Sequence, residues 1–265
     1  GQLDKVLFKL SKQLEKSNNL RTKLWTASVY PLAVLVILGI VAIGMFVWVL
    51  PTMMGLLTES GLKPEDLPTS TKALLFVQNI FDNYLWALVL GVVLIGVLVK
   101  VYLDSDNGRF WWHYYLLKIP VLGDLVKKVQ ILRFIDKQGL LLDSGLSVIK
   151  TLKIIATSTQ NEIYALHVWR VIGDVEKGMS ISESLAKAPF LFPEDVTTML
   201  RIGEKSATVA QISQKLSTQY DKEISHSIKK LTALFEPVMI VMVGLFVAVL
   251  AMAIMGPIFS LTQSL

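Results

Sequence analysis

No cysteine occurs among the 265 residues, and charged residues supply only 18% of them. The first absence removes disulfide scaffolds, thiolate catalysis, zinc ribbons and iron–sulfur clusters, while saying little about compartment. The second is more telling, because an ordinary soluble domain carries about 25% charged residues. Histidine is scarce as well. His113, His167 and His226 are scattered, without HExxH spacing or a carboxylate cluster around them, so they read as polar or surface residues. What is plentiful is apolar: 53% of the residues are hydrophobic and the mean hydropathy is +0.55. These residues concentrate in three blocks, and the charges, +5 net, fill the rest. The pattern is that of a membrane protein.

The first block, 31–57, carries no charge and opens with LAVLVILGIVAIGMFVWVL, enough for a helix across a hydrocarbon core of about 30 Å. The second, 84–103, is broken only by Lys100, which can snorkel, while Tyr84 and Trp86 suit an interface. The third runs uncharged from 237 to 265. The chain begins with Gly1, and the first block comes too late for a signal peptide. Orientation follows from lysine and arginine placement. Residues 1–30 hold Lys5, Lys9, Lys12, Lys16, Arg21 and Lys23, whereas 58–83 hold two lysines against Glu59, Glu65, Asp66 and Asp82. The expected order is a basic cytoplasmic helix (1–30), transmembrane helix 1 (31–57), a periplasmic loop (58–83) and transmembrane helix 2 (84–103). A cytoplasmic domain (104–235) and transmembrane helix 3 with a short periplasmic tail (236–265) complete it.

Residues 110–235 read as helix after helix. Val126, Val129, Leu132, Phe134, Ile135, Leu140 and Leu141 have helical spacing, and Asp143-Ser144-Gly145 ends that helix with a left-handed cap. Ser147, Asn161 and Ser180 suit helix N-caps, Gly178 an end, and Pro193-Glu194-Asp195 an acidic first turn. Gly203 and Ser206 separate the last short helix from a long one carrying Val209, Ile212, Leu216, Ile224, Ile228 and Leu231. No stretch alternates with the period of a half-buried strand. The expectation is all-α, with a bundle of about six helices.

A fixed offset relates the two ends of the chain. Pro31 falls on Pro237 and Pro51 on Pro257; Lys9-Leu10-Ser11 falls on Lys215-Leu216-Ser217, and Thr26-Ala27 on Thr232-Ala233. Each copy is a basic amphipathic helix, a proline at membrane entry, an apolar span and a proline at exit. Proline fits a helix's first turn and also stops one, so Pro31, Pro51, Pro237 and Pro257 are candidate structural brackets of the spans, and candidate force-transmission points where a helix carries motion into the membrane. The ungapped register favours duplication. The second copy has a whole bundle upstream and the first has none, so the first copy is expected to be truncated.

Catalytic constellations are missing. Gly173-Asp-Val-Glu-Lys-Gly178-Met179-Ser180 has the glycine spacing of a phosphate loop, but Met179 stands where the lysine belongs and no strand precedes it. No span holds the paired aspartates of an intramembrane protease. Glu236, at the start of the third span, reads as an interfacial structural carboxylate. Glu204, after Gly203, reads first as a helix-end or capping carboxylate between two helices. Its alternative is a bundle–bundle interface carboxylate, with Asp143 or Asp174 as metal co-ligands; one oxygen ligand is too few for calcium. No metal, cofactor or catalytic residue is expected, and the protein is not read as an enzyme. The aromatic run 110–115 lacks the interleaved basic residues of a nucleic-acid platform and reads as a membrane-interface belt. Small residues in the spans, such as Gly39, Gly91, Gly96 and Gly244, allow close helix packing.

Taken in order, Leu20-Arg21-x-Lys23, Tyr30-Pro31, Val49-Leu50-Pro51, Lys118-Ile119-Pro120-x-x-Gly123, Leu141-Leu142-x-Ser144-Gly145, Phe192-Pro193, Gly203-Glu204-x-Ser206 and Gly256-Pro257-Ile258-Phe259 form a specific set. The chain resembles the GspF/PilC family, the polytopic inner-membrane platform of type II secretion systems and type IV pili. One departure is Ala207, where that family usually has glycine. The resemblance implies coupling of a cytoplasmic hexameric assembly ATPase to pilin or pseudopilin subunits, contact with other inner-membrane assembly proteins, and homo-oligomerisation. It implies a multi-pass protein of the bacterial inner membrane, for which the lysine and arginine placement gives a cytoplasmic N-terminus and a periplasmic C-terminus. A small-molecule transporter or channel subunit is the alternative from another class; the all-apolar spans and large bundle stand against it.

Overall fold

The computed structural model describes residues 2–49, 51, 52, 55 and 69–263. Among these residues there is no strand. Among the described residues nine α-helices are delimited: α1 (Gln2–Gly44), α2 (Thr69–Asp104), α3 (Asp106–Lys118), α4 (Leu122–Asp143), α5 (Val148–Ser158), α6 (Glu162–Glu176), α7 (Ile181–Leu185), α8 (Glu194–Lys205) and α9 (Val209–Gln263). The chain divides into two compact units, Gly1–Trp25 with Val101–Leu231, and Thr26–Lys100 with Thr232–Leu265.

The first unit is a bundle whose local rules are visible in its helix ends. Asn161 accepts hydrogen bonds from the Ile163 and Tyr164 N–H groups, and Ser180 accepts from Glu183 N–H, so both occupy N-caps with a side-chain acceptor. Ser147 sits at the N-cap of α5 without such a bond. Gly145 (φ 81°) and Gly178 (φ 93°) take the left-handed conformation after α4 and α6. The core collects Leu117 of α3, Ile131, Leu132 and Ile135 of α4, Leu152 and Ile155 of α5, Val168 and Val171 of α6, Leu185 of α7, Leu200 of α8, and Leu216 and Ile224 of α9. Tyr164 is buried among them and donates its hydroxyl to Leu191 O at 2.9 Å; burial pushes its phenol pKa up.

Two features of this bundle differ from the expectation. Residues 106–118, of which 110–115 read as an aromatic membrane-interface belt, form a helix of their own. The basic segment at the start of α1 belongs to the same core, because Leu20 is buried in it. Lys16 reaches Asp136 at 2.8 Å and also Ser217, and Lys23 bridges Asp221 at 3.0 Å and Ser225 at 3.1 Å. These partners lie more than a hundred residues away in sequence, beyond the range of any local pattern.

The second unit exposes large apolar side chains along its helices, among them Ile37, Ile40, Leu94, Ile95, Ile240, Val241 and Leu245. The stretches Glu15–Val49 and Val209–Met252 are long and apolar enough to cross a membrane. Pro31 lies inside α1 and Pro237 and Pro257 inside α9, so none of these prolines ends its helix. Missing one N–H bond each, they are carried by the helical residues on both sides. Before Pro51 the backbone widens into a π-helical turn, Met45–Val49. A proline in a helix has no N–H to donate and its ring crowds the carbonyl four residues back, which for Pro51 is Val47, inside the widened turn. Of the expected loop, 58–68 lies outside the described residues, whereas 69–83 is helical; the helix kinks at Tyr84 (φ −124°, ψ 15°), where the second block begins.

Candidate functional site: the helix junction at Gly203 and Glu204

The helix α8 ends through Ser206, whose N–H bonds to Ile202 O, and Thr208 N–H reaches back to Gly203 O at 2.8 Å. That closure places Ala207 at φ 55°, the left-handed position that glycine fills most cheaply. The break therefore lies at 206–208, and Gly203 sits within the last turn of α8 rather than at the break. Its role is steric. A Cβ there would lie 3.1 Å from Val209 Cα and 3.1 Å from Ile212 Cγ1, so the bare backbone lets the start of α9 lie close against α8.

Glu204 turns from the same helix end toward α7. Its Oε1 accepts from Ile181 N–H at 2.7 Å and Ser182 N–H at 3.3 Å. Its Oε2 accepts from Ser182 N–H at 3.2 Å and from the Ser182 hydroxyl. A five-residue helix has almost no internal hydrogen bonding of its own, so a carboxylate on its first N–H groups does the work of a cap and faces the positive helix end. Ser184 of α7 donates to Asp174 Oδ2 at 2.6 Å, and Lys187 donates to the same oxygen at 2.8 Å. The Lys187 hydrogen bond, followed by that from Ser184, holds the Asp174 carboxyl below the usual carboxylate range. Glu204 and Asp174 thus fasten α7 to α8 and α6 respectively. Among the described residues no group of three or more His, Asp and Glu is arranged to hold a metal ion.

The remaining candidates are elsewhere. Glu236, Pro31 and Pro237 belong to the second unit, and Glu236 is exposed. The histidines do not converge. His113 Nδ1 accepts from Glu162 N–H at 3.2 Å, and burial, reinforced by Arg109, lowers its pKa. His167 is buried beside Phe192, and burial followed by the Arg170 charge lowers its pKa. Both favour the neutral ring. Sequence reasoning missed Ser182, Ser184 and Lys187; the Ser180-x-Ser182-x-Ser184 spacing on a short helix was the only local sign of them. The arrangement can fix helices against each other. It brings together no nucleophile, base and orienting group.

The family model described as type II secretion system (T2SS), protein F matches residues 1–51 and 134–257. The type IV pilus assembly protein PilC of Thermus thermophilus is 29% identical over 265 residues, covering 100% of this chain and 64% of that protein. Type II secretion system protein F of Pseudomonas aeruginosa is 29% identical over 266 residues, covering 99% of this chain and 64% of that protein. PilC of the same organism is 26% identical over 262 residues, covering 98% and 69%. The chain spans 64% of the length of the first two of these relatives. With more than half of its residues matched by the family model, including the Gly203-Glu204 junction and α9 as far as Pro257, the chain belongs to the type II secretion system protein F family.

Proposed function

We propose that this chain is a multi-pass platform in a bacterial inner membrane for assembling type IV pili or type II secretion pseudopili. In this reading it couples a cytoplasmic hexameric assembly ATPase to pilin or pseudopilin subunits, as a homo-oligomer beside other inner-membrane assembly proteins. The observation that carries it is family membership, shared by relatives named for pilus assembly and for type II secretion. Two helices apolar enough to span, a third apolar helix in α2, and a packed helical bundle support a membrane platform. We place the bundle and the N-terminus on the cytoplasmic side, from the lysines and arginines of 1–30 and 100–230, and the C-terminus in the periplasm. The prolines Pro31 and Pro237 are proposed as joints where motion enters the membrane, and the two ends of the chain as products of a duplication. Copurification from native membrane, with identification of the bound proteins, tests the proposal. Recovery of an assembly ATPase together with pilin-like subunits is expected; intact platform that recovers neither refutes it.

A further inference from the structure

The helix α3 presents two unlike faces. One is committed to the bundle: Leu117 is buried in the core, His113 accepts from Glu162 N–H, and Arg109 bridges Glu162 at 2.7 Å. The other carries Trp111, Trp112 and Tyr115, exposed by 46%, 52% and 59%. At 100° per residue these three fall within an arc of about 100°. Ile119 and Leu122 extend the exposed apolar surface past the helix end, and Lys118 stands at its border with its Nζ 4.4 Å from the Tyr114 ring.

The position of this face is fixed by a tight turn. The Ser105 hydroxyl donates to Tyr102 O at 2.6 Å and accepts from Gly108 N–H at 3.1 Å. A Cβ on Gly108 would lie 1.8 Å from Tyr102 O, so only glycine lets α3 fold back so closely on the last turn of α2. At the other end, a Cβ on Gly123 would lie 2.4 Å from Leu117 O, which closes the exit from α3 equally tightly. The turn at Ser105 and Gly108 thus sets the start of α3 against residues 102–104, the last turn of α2.

We propose that α3 is an in-plane membrane helix: its Trp111, Trp112 and Tyr115 face lies in the headgroup layer of the bilayer and pins the bundle to the membrane surface. This rests on the proposed reading of α2 as a span. Two observations favour lipid over a protein partner. The helix that carries the face begins two residues after α2, and the composition of the face, tryptophan and tyrosine bordered by lysine, is the one interfaces select, with Lys118 complementing anionic headgroups.

The absence of native cysteine makes the test direct. Single nitroxide labels at Trp112→Cys, Tyr115→Cys and Ile119→Cys are compared with Leu166→Cys and Ile202→Cys, which are apolar and similarly exposed on the bundle. The full chain is reconstituted in vesicles of phosphatidylethanolamine and phosphatidylglycerol. The α3 labels should show a severalfold higher ratio of oxygen to nickel-chelate accessibility than the two bundle labels. Equal ratios, meaning water on both, overturn the proposal, and so does protection from both reagents, which marks a protein partner. Labels at Leu90→Cys and Ile95→Cys report the span reading separately: they test α2 whatever α3 does. As a second measurement, Trp111→Phe with Trp112→Phe should remove a large part of the tryptophan emission quenched by brominated phospholipid. Unchanged quenching overturns the proposal even where a cysteine variant fails to fold.

Discussion

Replacing Glu204 by alanine removes the acceptor for two backbone N–H groups, those of Ile181 and Ser182, at residues only 5% and 0% exposed. A buried donor left without a partner costs about 1–3 kcal/mol. The Ser182 hydroxyl also loses its acceptor, but it stands 3.3 Å from Ser180 Oγ and can turn to it, so its loss adds little. Two donors at the start of a short helix, partly reachable by water once the carboxylate is gone, give about 2–4 kcal/mol. Glu204→Gln keeps one acceptor oxygen and loses the charge on the bonds and its attraction to the helix end, for about 1–2 kcal/mol. Hydrogen exchange on the full chain reads this locally. Since about 1.4 kcal/mol is tenfold, amides of 181–186 should exchange roughly 30- to 1,000-fold faster in the alanine variant when opening is local. Glutamine should fall between the alanine variant and the native chain. Amides of α5, which Glu204 does not touch, should keep their rates. A change under about threefold at 181–186 in the alanine variant refutes the capping account, because no buried donor would then have depended on the carboxylate.

Three other outcomes follow from the same geometry. Ala207→Gly should stabilise the bundle by about 0.5–1 kcal/mol: the left-handed conformation costs a non-glycine residue about 1–2 kcal/mol, and glycine's extra unfolded-state freedom returns part of it; thermal melts of the detergent-solubilised chain measure this, and a lower melting point refutes it. His167 has a pKa below its ordinary 6.5, so the unfolded chain binds more protons as pH falls through that value; stability should be full above about pH 6.5 and decline below it, and His167→Gln should flatten that decline in melts taken across the range. Pro31→Ala and Pro237→Ala should leave protein level and ATPase binding intact while reducing pilus or pseudopilus assembly, the double change more than either, and normal assembly at normal abundance in all three rules out the joints.

Where a residue's structural role depends on its neighbours within a turn, the sequence discloses it. Asn161, Ser180, Gly145 and Gly178 mark helix ends because capping and left-handed closure need those residue types at those positions. Gly203 misleads for the same reason: glycine is the expected terminator, but the backbone turns left-handed at Ala207 and spends Gly203 on a close approach to α9. The helix α3 hides because its stretch 110–117 is apolar or aromatic at every position but His113, which leaves no helical stripe to detect. The prolines read as punctuation, yet α1 and α9 run through them; a single missing hydrogen bond in so long a helix is a small fraction of what holds it. The docking of 16–24 is the clearest case of what cannot be read. Lys16, Leu20 and Lys23 look like one face of a basic helix, and nothing nearby says that Asp136, Ser217 and Asp221 complete it.

The Gly203-Glu204-x-Ser206 stretch carries much of the sequence resemblance, and its geometry changes how variants there should be interpreted. Gly203 sets the approach of α9, Glu204 caps α7, and Ser206 closes α8 through its N–H and its hydroxyl, both on Ile202 O. Three helices meet in these four residues, and Gly203, Glu204 and Ser206 are each spent on holding them together, while Lys205 points its side chain outward. Loss of function after substitution at this junction therefore reports a loosened bundle, and abundance should fall with activity. A residue that transmits motion should behave in the opposite way, losing assembly while abundance holds. That contrast separates the junction, whose work is internal to the bundle, from Pro31, Pro237 and the exposed face of α3, where substitution leaves the buried core of the bundle untouched.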